Sequence, residues 1–152
     1  MALTAKQILD ADDRTTMTIT VPQWETDGDA EVCLRLPDAL EEYEIHRSLP
    51  ADAGEDEKDE AAAEQRRFRE MVTWLAHCLI DPATGRRLFA DDQIEQLARK
   101  NPLALHHCDV ALRSLRARAV DEFKALVKKY AGTASDASGS ASPSTAATST
   151  PT

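Results

Sequence analysis

At 152 residues with a formal net charge of −9, the chain holds enough for one small domain and repels phosphate backbones, which excludes nucleic acid as the default partner. Three cysteines, Cys33, Cys78 and Cys108, are odd in number and widely spaced, a pattern against a disulfide framework and for a reducing compartment. No apolar run reaches the length of a membrane span, and the acidic first dozen residues lack the apolar centre of a secretion signal.

Leu3, Ile8 and Leu9 lie near helical spacing. Thr4, with Gln7 three residues on, predicts a capping box for a short helix that ends by Asp12-Asp13. Met17, Ile19 and Val21 then alternate with Thr16, Thr18 and Thr20, the period of a strand. Pro22 closes its ladder, Trp24 follows, and Thr26-Asp27-Gly28-Asp29 reads as a turn. A second strand spans 31–36, with Val32, Leu34 and Leu36 on one face and Cys33 and Arg35 on the other. A hairpin alone is marginal in water, so its apolar face is expected on the helices or on another chain.

Asp38 and Glu41 predict a second capping box, on a helix where Leu40, Tyr43 and Arg47 share a face and which Pro50 closes. Residues 51–60 hold almost no apolar content and six acids, and are read as a mobile loop. From Ala61 a long helix carries one stripe of Phe68, Met71, Val72, Leu75, Cys78 and Leu79. Trp74 lies off the centre of that stripe, in reach of the hairpin. Pro82 stops the helix.

A turn at Ala83-Thr84-Gly85 is expected to send Leu88 and Phe89 back inward. Phe89 and Ile94 then staple a helix start near Ala90-Asp91, where Asp91 and Asp92 favour the positive dipole end, and Ile94 and Leu97 anchor that helix. Asn101 caps the last helix and Pro102 takes its first position. Leu105, Cys108, Leu112, Leu115 and Ala119 keep a 3-4 spacing along it. Beyond Ala119 the apolar positions Phe123, Leu126, Val127 and Tyr130 sit on a rotated stripe beside Lys124, Lys128 and Lys129. The expectation is a mainly α protein with a small N-terminal β-hairpin (α+β): one domain over 1–130 with a long C-terminal helix, and a disordered low-complexity tail over 131–152.

His77-Cys78 and His106-His107-Cys108 invite a zinc reading, since the residue types suit tetrahedral zinc. Neighbouring positions point to different helix faces, and no C-x-x-C or H-x-x-x-H pair accompanies them. Cys78 and Cys108 fit their apolar stripes as small hydrophobes. A Cys-His nucleophile pair has no evident third group to orient it. The acidic run over 52–60 lacks the ligand alternation of a calcium loop. No phosphate-loop, nucleophile-elbow or zincin motif is present. No catalytic, cofactor or metal residue is therefore expected. Trp24, Phe123, Leu126, Val127 and Tyr130 stand as candidate partner-binding residues.

LTAKQILDADD near the start, VPQW before the second strand, and CLIDPATGRRLFADDQIEQLARKNPLAL resemble, in order and spacing, the tail assembly chaperones of long-tailed bacteriophages. The set covers most of residues 3–115. Many members carry Gly-Gly after the tryptophan, where this chain has Glu25-Thr26-Asp27-Gly28, and Ser where it has Ala90. The resemblance implies a non-enzymatic chaperone of the infected host's cytoplasm that uses no cofactor. It would hold the tape measure protein, help recruit major tail protein as the tube grows, and be absent from the mature virion. Self-association, and a structural tail or head-tail component retained in the virion, stay open beside it.

Overall fold

The computed structural model describes residues 1–50 and 59–137, with side chains described as far as 132. Its elements run α1 (Ala5–Leu9), β1 (Thr16–Thr20), a 3-10 turn (Pro22–Trp24), β2 (Glu31–Arg35), α2 (Ala39–Ser48), α3 (Glu60–Cys78), β3 (Leu79–Ile80), a second 3-10 turn (Asp91–Gln93), α4 (Ile94–Ala98) and α5 (Pro102–Ala137). Contacts divide the chain inside α5, between Ala119 and Val120. The expected acidic loop falls largely on 51–58 and the expected disordered tail largely on 138–152, both outside the described residues. Asp59 and Glu60, placed by sequence in the loop, instead cap and begin α3: the Asp59 carboxylate accepts from the Ala61 and Ala62 N–H at 3.1 and 3.4 Å. The last helix continues seven residues beyond Tyr130, to Ala137.

Three strands, not two, form the sheet. It is antiparallel in the order β1-β2-β3. β1 pairs with β2 from Thr16↔Arg35 to Thr20↔Glu31, and β2 pairs with β3 at Cys33↔Ile80 and Leu34↔Leu79. The connection between β1 and β2 ends in a tight turn with Asp27 at φ 54° and Gly28 at φ 84°. Thr26 and Asp29 exchange both backbone hydrogen bonds at 3.0 Å across it. Asp-Gly is the sequence that tolerates two positive φ angles in succession. As the middle strand, β2 is covered on both faces: Leu34 and Cys33 are both buried, where a two-stranded hairpin would bury one face.

β3 was read as the end of the long helix. α3 stops at Cys78, and the Leu79 backbone turns to φ −74°, ψ 118° while its N–H still donates to Leu75 O. Leu79 is thus the last member of the helical stripe and the first residue of a strand. The sequence Asp81-Pro82-Ala83-Thr84-Gly85 then reverses the chain. The Asp81 carboxylate accepts from Ala83 N–H at 2.9 Å and from the Thr84 hydroxyl at 3.1 Å, and Gly85 N–H donates to Asp81 O at 2.7 Å. Gly85 has φ 68°, and a Cβ there would stand 3.3 Å from Arg35 Nη1. Leu88 N–H closes the reversal on Leu79 O at 2.9 Å.

The core gathers the C-terminal half of α3, Leu34, Ile45, Leu97, and the α5 stripe Leu105, Cys108, Leu112 and Leu115. Every residue from Val72 to Cys78 is buried, so α3 is enclosed on all sides there. Trp74 is held between two helices. It stands edge-on to His46 of α2, with centroids 5.5 Å apart, and under the Arg116 guanidinium of α5 at 4.3 Å. Leu88 is exposed rather than inward, whereas Phe89 and Ile94 pack partly buried against the core.

The Thr4/Gln7 and Asp38/Glu41 capping boxes both form. Asn101 caps α5 as expected, accepting from Leu103 and Ala104 N–H at 2.9 and 3.4 Å. Glu41 does more than cap. Its carboxylate pairs with Arg14 and lies 4.0 Å from Arg35, and so ties α2 to the strands. From the first half of α5, His107 Nε2 lies 3.0 Å from Thr20 O and Arg118 Nη2 lies 3.5 Å from Thr16 O, both on β1.

The face shared by Leu40 and Tyr43 is not the buried one. Leu40 is 66% and Tyr43 63% exposed, while Ile45 is fully buried. Ile45→Ala is therefore expected to cost about 2–4 kcal/mol in urea unfolding. Leu40→Ala in the same helix should fall within about 0.5 kcal/mol of the parent. Equal losses would show that the two faces of α2 are misassigned.

Candidate partner-binding surfaces

Trp24 ends the 3-10 turn begun by Pro22, its N–H donating to Val21 O at 2.9 Å. It is half-buried against the core, and its indole Nε1 finds no acceptor among the described residues. Beside it opens a cleft of about 360 Å³ with Phe89 and Leu97 as apolar lining and Gln23, Glu25 and Lys100 among its polar residues. Phe89 and Leu97 were read from sequence only as packing residues. Nothing local in sequence connects them with Trp24, because three separate segments build the cleft.

The other candidates lie beyond the division in α5. Phe123 and Tyr130 are 66% and 69% exposed, and Leu126 and Val127 are about half exposed. Val120, which sequence reading left out, is likewise exposed. With it the spacing becomes 120, 123, 127, 130: three, four, three. The core stripe of the first half, extended from Ala119, would instead fall on Glu122, Leu126 and Lys129. The apolar surface is thus one residue out of phase with the core stripe, and it changes phase where the contacts divide the chain.

A second concavity of about 250 Å³ lies between α3 and the first half of α5 and is mixed in character. Trp74, Met71 and Leu112 line it with Arg67, Glu70, Asp109 and the Arg113 and Arg116 side chains. Arg113 Nη2 lies 2.8 Å from the Asp109 carboxylate. Arg116 on Trp74 and this ion pair engage part of its lining with one another.

The histidine–cysteine neighbours diverge as helix geometry demands. Cys78 and Cys108 lie in the core, and burial pushes their thiols up to about 12 and about 11, so neither offers a thiolate. His106 and His107 are exposed, the latter on Thr20 O. Among the described residues no group of three or more His, Cys, Asp or Glu is placed to hold a metal ion. No described helix is long and apolar enough to cross a membrane.

His77 is buried. Its Nε2 lies 3.6 Å from Asp91, which Arg87 also pairs with at 2.9 Å, and its Nδ1 has no partner among the described residues. Desolvation, reinforced by the Arg87 charge and opposed by Asp91, lowers its pKa from the ordinary imidazole value. Protonation would add a buried N–H with no acceptor.

Residues 5–107 match the family model described as phage tail assembly chaperone. The structure is similar to one titled "Structure of bacteriophage HK97 tail assembly chaperone", at 21% identity and a TM-score of 0.49, over 71% of this chain and 94% of that one. No curated protein matches the chain.

A histidine with a lowered folded pKa contributes stability that is fully present above the unfolded pKa of about 6.5 and is lost as pH falls below it. The melting temperature should therefore decline as pH is lowered from about 7.5 to about 5.5, a window above ordinary carboxylate titration. His77→Gln should flatten that decline. An unchanged slope in the variant would assign the pH dependence to other groups.

Proposed function

Because the chain belongs to the phage tail assembly chaperone family, we propose that it binds the tape measure protein as its client and helps recruit major tail protein during tube assembly. It acts in the host cytoplasm, by binding alone, and leaves before the virion is complete. The family match ends at residue 107, within α5, so the apolar surface at 120–130 lies outside the matched span.

The observation that carries the reading is that surface: Val120, Phe123, Leu126, Val127 and Tyr130, large apolar side chains exposed on an acidic chain. A chaperone must offer apolar surface to its client and stay soluble while doing so. A helical stripe of this spacing suits helix-on-helix contact with a long helical client, and Lys124, Lys128 and Lys129 beside it would steer an acidic segment. The Trp24 cleft is the second candidate contact, for an apolar side chain of the partner.

In co-expression with the tape measure protein, Phe123→Ser combined with Leu126→Ser is expected to leave a folded chain that captures at least about tenfold less client, a loss of two apolar anchors. Undiminished capture would place the client surface elsewhere, and Trp24→Ala would then test the cleft. Detection of the chain in purified virions at stoichiometric level would replace the chaperone reading with that of a retained tail component.

A further inference from the structure

We propose that the cleft between α3 and the first half of α5 anchors an acidic side chain of a partner protein, held by Arg67 and Arg116 above an apolar floor. The proposal rests on the client reading above and deepens it. It gives the tape measure protein a second contact, on residues other than the apolar seam at 120–130, and states the chemistry of that contact.

The size of the cleft bears on what it can take. At about 250 Å³ it falls below the usual range of sites for free small molecules, about 300–1,000 Å³, and suits a single side chain brought by a partner. Its floor is apolar: Trp74 and Leu112 are only 7% and 3% exposed, and Met71 is half-buried.

The charges decide which side chain. Three arginines line the cleft against two carboxylates, an excess of one positive charge on a chain whose 27 acidic residues outnumber its 18 basic ones. The pairing inside it is partial. Asp109, itself buried, holds Arg113 at 2.8 Å. Arg116 stands over the Trp74 ring at 4.3 Å, a contact that steadies the guanidinium and gives its N–H groups no oxygen acceptor. Among the described residues neither Arg116 nor Arg67 has a carboxylate within ion-pair distance, although Glu70 lines the same cleft. Two guanidiniums thus lack an acid on a chain that has acids to spare. A guanidinium held on an aromatic face keeps its planar fork, which matches a carboxylate in two hydrogen bonds. The buried floor beneath makes a charge-assisted bond there stronger than one in open water. Glu70 opposes an acidic guest, since it has no cation to neutralise it among the described residues. The acidic surface elsewhere on the chain orients the guest towards the arginines.

The test elutes co-expressed tape measure protein from the tagged chain with sodium chloride, from about 50 to about 500 mM. Arg67→Gln with Arg116→Gln should release it at about half the wild-type salt concentration or lower, because two charge-assisted contacts are gone. Arg116→Lys should recover only part of the loss, as a lysine keeps the charge without the fork. Glu70→Gln should hold the client to higher salt than the wild type. Circular dichroism checks the fold of each variant. Arg67→Gln alone serves if the change on Trp74 unfolds the chain, since Arg67 lies two helical turns away. Wild-type elution from both the arginine pair and Glu70→Gln overturns the anchor and leaves the client reading standing. An assembly of copies that the arginine changes dissolve, with client release unaltered, also overturns it and assigns the cleft to a second copy. If the wild-type chain holds no tape measure protein, the client reading fails and the cleft is scored alone, by titration with poly-L-glutamate. A shift of the Trp74 indole N–H resonance that the arginine pair abolishes then keeps the anchor, and no shift overturns it.

Discussion

The folded body depends on one passage of backbone, where α3 becomes β3 with no loop between. Leu79 makes the last helical hydrogen bond, to Leu75, and then pairs with Leu34 in the sheet. Its carbonyl receives Leu88 N–H and so fixes where the following turn returns. Helix, sheet and turn are therefore set in one another's frame by a single fully buried residue. A hinge there would let the helical stripe and the strand ladder move independently. The enclosed half of α3 prevents it, since every side chain from Val72 to Cys78 already has neighbours to fill its space. Of the polar groups trapped in that stretch, the Thr73 hydroxyl donates to Arg69 O at 2.8 Å and His77 Nε2 faces Asp91, while His77 Nδ1 has no partner among the described residues.

What was legible in the sequence was what is decided within a few residues. Thr4 with Gln7, Asp38 with Glu41, Asn101 with Pro102, and Asp27-Gly28 each act over two or three positions, and each forms as its residue types require. What was not legible depends on partners far along the chain. The two residues of β3 look like a helix end because Leu79 does continue the stripe; only β2, 45 residues earlier at Leu34, makes them a strand. Leu40 and Tyr43 were prominent on α2, yet Ile45 on another face is the buried residue, because the helix has little amphipathic contrast of its own. Trp74 gave no sign that His46 and Arg116 would hold it. The candidate surfaces divide in the same way: the seam on α5 could be read from spacing, while the cleft beside Trp24 needed Phe89 and Leu97 brought in from other segments.

The chain also separates its tasks along one helix. From Ala104 to Leu115, α5 serves the core and lies against β1. From Val120 on, the same helix carries apolar side chains that the core does not use. One residue of phase separates the two stripes. A shift of one position turns a helical face by about 100°, so the 120/123/127/130 line departs from the core stripe, while Leu126 stays on the extension of that stripe.

The hydrogen bonds from His107 and Arg118 to β1 bear on how such a protein avoids assembling with itself in the wrong way. An outer strand with bare carbonyls is a template onto which another strand can add. Here Thr16 O and Thr20 O each have a side-chain donor, and at the far margin Ile80 is bridged to Arg87. Some outward backbone groups at each margin of the sheet are thus engaged. The large apolar side chains exposed beyond Ala119 stand on a helix, where contact is discrete and ends with the helix, whereas strand addition at a sheet margin is open-ended.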